Sequence, residues 1–79
     1  MKMMARDAIQ LLDVVALVRD RPDLDLRRGS VGTVVEVYGP DAFEVEFVAG
    51  DGHTYGLHTL SGPDLMRLRY EPERAAHGA

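Results

Sequence analysis

Short apolar runs, separated by glycine, proline and aspartate, follow one another from Asp13 onward. Each run is about five to seven residues long, which is the length of an ordinary β-strand and short for a globular helix. None of the runs continues with the period of three to four residues that marks an amphipathic helix. The sequence therefore predicts a small all-β domain.

Five strands are predicted from these runs, with a loop or turn after each of the first four. The strands cover residues 14–18, 30–38, 43–47, 53–60 and 66–70. The connections are a long loop at 19–28, tight turns at 39–41 and 49–52, and one 3₁₀ or helical turn at 61–65. This is the order of a five-stranded SH3-like β-barrel, in which closure of the sheet largely removes its edges.

The barrel is predicted to comprise residues 12–69. Residues 1–11 are expected to pack on the barrel or extend it, and residues 70–79, which lack apolar periodicity, to form a flexible C-terminal tail. Arg6 and Asp7 interrupt the N-terminal apolar stretch before a signal-peptide core or a membrane span can form. Because the chain also has no cysteine, we expect it to be soluble and cytoplasmic.

The first predicted strand is apolar at every position, so both of its faces need cover. One face meets the barrel interior. The other is expected to be covered either by residues 3–12 or by another protein chain. Val15 and Leu17 are therefore candidate protein-interaction residues.

Strict alternation at residues 43–47 places three apolar side chains on one face and Glu44 and Glu46 on the other. Glu36 on the neighbouring strand joins the two glutamates. Three carboxylates on one face can bind a cation or act as an acid–base pair. We favour the simpler interpretation, a solvated outer face that is kept polar to prevent association through the sheet.

Three further details are predicted, two in the strands and one in the long loop. Gly32 lies inside a β-branched run and indicates a bulge or a sharp bend. In the fourth strand the larger apolar side chains, Tyr55 and Leu57, are predicted to face inward. In the long loop, Leu24 and Leu26 are expected to be tucked inward as well.

Charge is unevenly distributed along a chain whose formal net charge is −4. Residues 30–65 contain six acidic residues and no lysine or arginine, while arginines gather in the long loop and the last strand. These two segments can approach each other in an SH3-like barrel, so their arginines are a candidate nucleic-acid patch. Its members are Arg27, Arg28, Arg67 and Arg69. Local ion pairs between the loop arginines and nearby aspartates would cancel that field, and the sequence does not choose between the two arrangements.

The residue types needed for catalysis or metal binding are sparse. The chain has no motif that joins a nucleophile to a base and an orienting group. His53 and His58 are five residues apart in one predicted strand and so point to opposite faces, which argues against joint metal ligation. His77 falls in the predicted tail. We therefore expect no catalytic residues, no metal and no cofactor.

A family likeness rests on three segments: LLDVVAL at 11–17, RGSVGTVVEV at 28–37, and FEVEF at 43–47 followed by DGHTY at 51–55. Together they resemble the bacterial family called domain of unknown function 4926. Members of that family are short proteins with an SH3-like barrel, so the resemblance implies this fold and no activity. Residues 29–35 also resemble the glycine-containing opening of KOW-type barrels in ribosomal and transcription proteins.

The expected function is that of a non-catalytic protein-interaction module, either an accessory subunit or an antitoxin-like partner. Its candidate contact residues are Val15, Leu17, Glu36, Glu44 and Glu46. The partner is expected to be a second copy of the chain or the product of a neighbouring gene, and no membrane contact is expected. The alternative is a KOW-like nucleic-acid-binding barrel that uses the arginine patch.

Overall fold

The structure is a computed structural model that describes residues 8–69. It contains five strands, and the five predicted strands are confirmed with small shifts at their ends. They are β1 (Val14–Leu17), β2 (Val31–Gly39), β3 (Ala42–Val48), β4 (Thr54–Ser61) and β5 (Leu65–Arg67). Two 3₁₀ turns, Pro22–Leu24 and Gly62–Asp64, complete the described elements. The predicted C-terminal tail and most of the predicted N-terminal segment lie outside the described residues.

All five strands belong to one antiparallel sheet with the order β4-β3-β2-β1-β5. The all-β class and the strand order of an SH3-like fold are confirmed, including the 3₁₀ turn before the last strand. Within residues 8–69, however, β4 and β5 do not pair with each other, so the sheet stays open. The expectation that closure removes the sheet edges is therefore not met.

The core lies on one face of this sheet. Alternate residues of β3 point into it, as the strict alternation predicted, and the first 3₁₀ turn and its loop contribute Leu26 and, half-buried, Leu24. Ile9, before β1, also packs against the core. The buried cluster consists of Val15, Leu17, Leu26, Val34, Phe43, Val45, Phe47, Leu60 and Leu65.

Phe47 is the centre of that core and has no exposed surface. Its partner on β2 is Gly32 and its partner on β4 is Gly56, so its ring is flanked by two residues without side chains. A Cβ atom on Gly32 would lie 2.7 Å from the Glu46 carbonyl oxygen and from Val45 Cγ1, and 3.0 Å from Phe47 Cδ1. Gly32 is therefore needed for the close approach of β3, because any side chain would occupy the space of its neighbours.

Two sequence predictions about these strands were wrong. Gly32 is paired in register with Phe47, and the irregularities of β2 fall later, between Val34 and Glu36 and between Val37 and Gly39. At each of these two places β2 has one residue more than the stretch of β3 with which it pairs, and the extra residue bends β2.

The inward face of β4 was also assigned incorrectly. Tyr55 and Leu57 are 50% and 54% exposed, whereas Leu60 is buried. The register pairs Phe43 with Leu60 and Phe47 with Gly56, which turns the other set of residues toward the core. Side-chain size misled the prediction, since the core side of β4 carries Gly56 and His58 beside Leu60.

The loop between β1 and β2 is fastened to the second 3₁₀ turn by Asp64. Its carboxylate accepts a hydrogen bond from Arg21 Nη1 at 2.9 Å and pairs with Arg19 Nε at 3.2 Å. Arg21 also donates two hydrogen bonds to Asp23, at 3.0 and 2.8 Å. The hydrogen bond from Arg21 holds the pKa of Asp23 below its ordinary value of 3.8. That contribution to stability is therefore present above the ordinary pKa and is lost as the pH falls through the lowered one.

Replacing Gly32 by alanine is expected to lower the free energy of unfolding by about 1–3 kcal/mol, because the new methyl group meets a backbone oxygen that cannot move alone. Gly39→Ala is the matched control, because Gly39 lies in the same strand and a Cβ there would meet no atom within 4 Å. Urea denaturation followed by circular dichroism measures both. Equal midpoints for the two variants would contradict the close approach at Gly32.

Replacing Asp64 by asparagine is expected to lower the free energy of unfolding by about 1–2 kcal/mol, because Arg19 and Arg21 lose their shared partner. The amides of Arg21 and Leu26 each donate a hydrogen bond to the other residue's carbonyl oxygen. Hydrogen exchange of these two amides should be faster in the variant than in the wild type. Asp25→Asn is the control, because Asp25 is exposed and has a φ of 62°, which asparagine tolerates. If both variants exchange alike, Asp64 does not fasten the loop.

Candidate functional site: the outer face of the sheet

A row of apolar side chains crosses the face of the sheet that points away from the core. Ala16 of β1 pairs with Met66 of β5 on one side and with Val31 of β2 on the other. Gly32 of β2 pairs with Phe47 of β3 in antiparallel register. The next residues outward, Val31 and Val48, therefore lie beside each other, on the face opposite to Phe47. We call these four residues, Met66, Ala16, Val31 and Val48, the outer row.

The large members of the outer row are open to solvent. Met66 is 51% exposed, Val31 is 47% exposed and Val48 is 42% exposed, while the small Ala16 is buried between its neighbours. No segment within residues 8–69 covers them. A contiguous exposed apolar row on a sheet is the kind of surface that marks an interaction site.

The apolar first strand explains how this row arises. Val15 and Leu17, the predicted contact residues, point into the core and have almost no exposed surface, so they cannot present an interface to a partner. Their neighbours Val14 and Ala16 point outward instead. Both faces of β1 are therefore apolar, as the sequence predicted, and Val14 and Ala16, not Val15 and Leu17, lie on the face that a partner can reach.

Three glutamates lie on the same face: Glu46, two residues before Val48, is next to the outer row, and Glu36 and Glu44 lie further along the strands. Glu36 and Glu44 are directly opposite each other on β2 and β3, and Glu46 pairs with Thr33 and Leu57. Strands β2, β3 and β4 carry no lysine or arginine. This part of the outer face is therefore negatively charged.

Hydroxyl groups hold two of these carboxylates in place. Thr59 and Tyr38 donate hydrogen bonds to Glu44 Oε1 at 2.7 and 3.3 Å, and Thr54 donates one to Glu46 Oε2 at 2.5 Å. Partial desolvation and then the charge of Glu44 raise the pKa of Tyr38 above 10.0. Tyr38 thus stays a neutral donor to Glu44 at and above neutral pH, and this arrangement loses stability only as the pH rises through the raised pKa.

Histidine and carboxylate side chains are not clustered for metal binding in the described part of the chain. No group of three or more histidine, aspartate or glutamate side chains within residues 8–69 is placed to hold a metal ion. His58 points to the core side of β4, with its ring centroid 6.4 Å from that of Phe47. His53 lies at the tip of the β3–β4 hairpin, 3.8 Å from Asp51.

The arginines of the candidate nucleic-acid patch are not gathered into one cluster. Arg67 pairs with Val15 on one side of β1 and forms an ion pair with Asp13 at 3.3 Å. Arg27 and Arg28 lie on the other side, beside Gly29, which bonds to Leu17. Arg69 lies beyond the end of β5.

Arg27 and Arg28 are exposed and line an open cleft of about 670 Å³. Asp20 and Asp25 line the same cleft and offset their charge. Of the two arrangements that the sequence left open, local pairing is observed for Arg21 with Asp23. Arg19 pairs instead with Asp64, a partner that sequence spacing did not suggest and that Arg21 shares.

The exposed members of the outer row were missed in the sequence. Val31 is three residues before the buried Val34, and an odd separation in a strand places two side chains on opposite faces. Strand alternation could therefore have placed Val31 on the outer face. Met66 precedes Arg67 in a run too short for any periodicity, and only the pairing of β5 with β1 locates it.

None of the described segments is a helix long and apolar enough to cross a membrane. A comparison with protein families finds one whose profile matches residues 11–67, described as Domain of unknown function (DUF4926). Comparisons with curated proteins and with solved structures give no match. The family match confirms the resemblance seen in the sequence and, since it spans well over half of the chain, this chain belongs to the DUF4926 family.

Proposed function

We propose that this protein is a non-catalytic interaction module that binds another protein through the outer face of its sheet. The observation that carries the proposal is the register of Met66, Ala16 and Val31, which lines up three apolar side chains across three strands on an open surface. Monomeric proteins rarely leave such a surface exposed without a use for it.

The outer row supplies part of the binding free energy. Full burial of a valine or methionine side chain contributes about 1.5–3 kcal/mol, and these side chains are already about half covered. Met66, Val31 and Val48 can therefore contribute about 1 kcal/mol each. Glu36, Glu44 and Glu46 add selection for a partner with basic groups beside an apolar surface, and they speed its approach.

Nucleic-acid binding is not part of the proposal. Arg19, Arg21 and Arg67 are engaged with aspartates, and aspartates border the exposed Arg27 and Arg28. The carboxylates of the outer face would repel a phosphate backbone.

The test is an affinity capture from cells that express the protein, with the wild type compared with Val31→Asp and Met66→Asp. We expect the wild type to retain a specific protein that both variants lose, because each aspartate places a charge in the apolar contact. Leu11→Asp is the matched control: Leu11 is as exposed as Met66 but lies outside the sheet. Calorimetry with the purified partner should then show at least a tenfold weaker Kd for the two row variants, or about 1.4 kcal/mol.

Circular dichroism melts must show that all three variants are folded, since the row variants are meant to change only the surface. A partner that binds the Val31 and Met66 variants as tightly as the wild type contradicts docking through the outer face. So does a partner that all three aspartate variants lose to the same extent.

A further inference from the structure

The two edges of the open sheet differ sharply. One edge is β5, which has three residues and carries Arg67. The other edge is β4, which runs for eight residues without a charged side chain or a proline. Short length, charge and proline are three devices by which proteins prevent edge strands from pairing with other chains, and β4 has none of these three. Its one bulge, where Tyr55 is the extra residue, lies near the beginning of the strand.

The outer edge of β4 is unpaired within residues 8–69. Every strand partner of β4 is on β3, and none of its backbone groups from Thr54 to Ser61 bonds to the β1–β2 loop or to any described strand other than β3. Tyr55 and Leu57 are half exposed along this edge. Unpaired amide and carbonyl groups in a row are a template for one more strand.

We propose that a second copy of the chain occupies this edge, with the two β4 strands antiparallel about a two-fold axis near Leu57. A two-fold contact places residues of the same strand opposite one another. β4 has no lysine, arginine, aspartate or glutamate, and with the axis near Leu57 its one histidine, His58, faces Gly56 of the other copy, so no like charges meet. A two-fold contact through the glutamate-bearing face would instead oppose carboxylates in a chain of net charge −4.

The pairing also covers the exposed side chains of the edge. With the axis at Leu57, each Leu57 lies beside its copy, and Tyr55 of one chain faces Thr59 of the other. Strand addition takes place in the plane of the sheet, so the outer row remains open on both chains. The dimer and the binding of another protein through the outer face are therefore independent of each other.

The test is size-exclusion chromatography with light scattering on the full chain, across a range of concentrations up to about 1 mM. The wild type is expected to reach twice the 8.7 kDa mass of one chain. The double variant Tyr55→Lys/Thr59→Lys brings lysines together across the axis and is expected to raise the dimer Kd by at least about tenfold. Val31→Lys/Met66→Lys is the matched control, with the same added charge on the outer row, and it should remain a dimer.

A charge exchange keeps the test informative if lysine alone disturbs the fold. Tyr55→Glu/Thr59→Glu should also be monomeric, and an equal mixture of the lysine and glutamate variants should recover a dimer, because opposite charges now face each other. A wild type that stays monomeric at every concentration overturns the proposal. A dimer that survives both β4 variants, or that the outer-row lysines break instead, overturns it as well.

Discussion

The ring of Phe47 between two glycines is the constraint on which the rest of the structure depends. A Cβ at Gly32 would collide with β3 and with the ring, so its absence lets β2 approach β3 closely. On the other side Gly56 pairs with Phe47, where a Cβ would lie at an ordinary contact distance of 3.7 Å from the ring. The ring in turn fills the core that three strands share. The central part of the sheet thus depends on one large side chain and on the absence of a side chain at Gly32.

That arrangement also determines which surfaces remain for function. Once Phe47, Val45 and Val34 fill the core from one face, the alternation of the strands sends Val31 and Val48 to the other. The core cannot use them, and no described segment covers them. The outer row is therefore a consequence of how the core is packed, and the glutamates on the same face add a negative charge that a partner has to match.

Most of the fold follows from local sequence signals. Runs bounded by glycine and proline locate the strands, and the strict alternation of residues 43–47 identifies the core face of β3 without ambiguity. The family match is likewise visible in the segments that carry it. These features depend on neighbours in the chain, which a single sequence displays directly.

The features that were missed depend on contacts between distant residues. The inward face of β4 is set by its register with β3, which places Gly56 beside Phe47 and Leu60 beside Phe43. Asp64 binds Arg19 and Arg21 more than forty residues away in the chain, so spacing could not suggest it. Met66 joins the outer row only because β5 pairs with β1. No local pattern encodes these relations.

The central claim is that the outer row is open to solvent in the whole protein, and methyl NMR with a dissolved paramagnetic agent tests it most directly. The methyl groups of Val31 and Met66 should relax strongly as the agent is added, whereas those of Val15 and Leu17, buried under the same strands, should not. Equal protection of all four, at a concentration where the chain is monomeric, would mean that another part of the chain covers the row, and it would contradict the account.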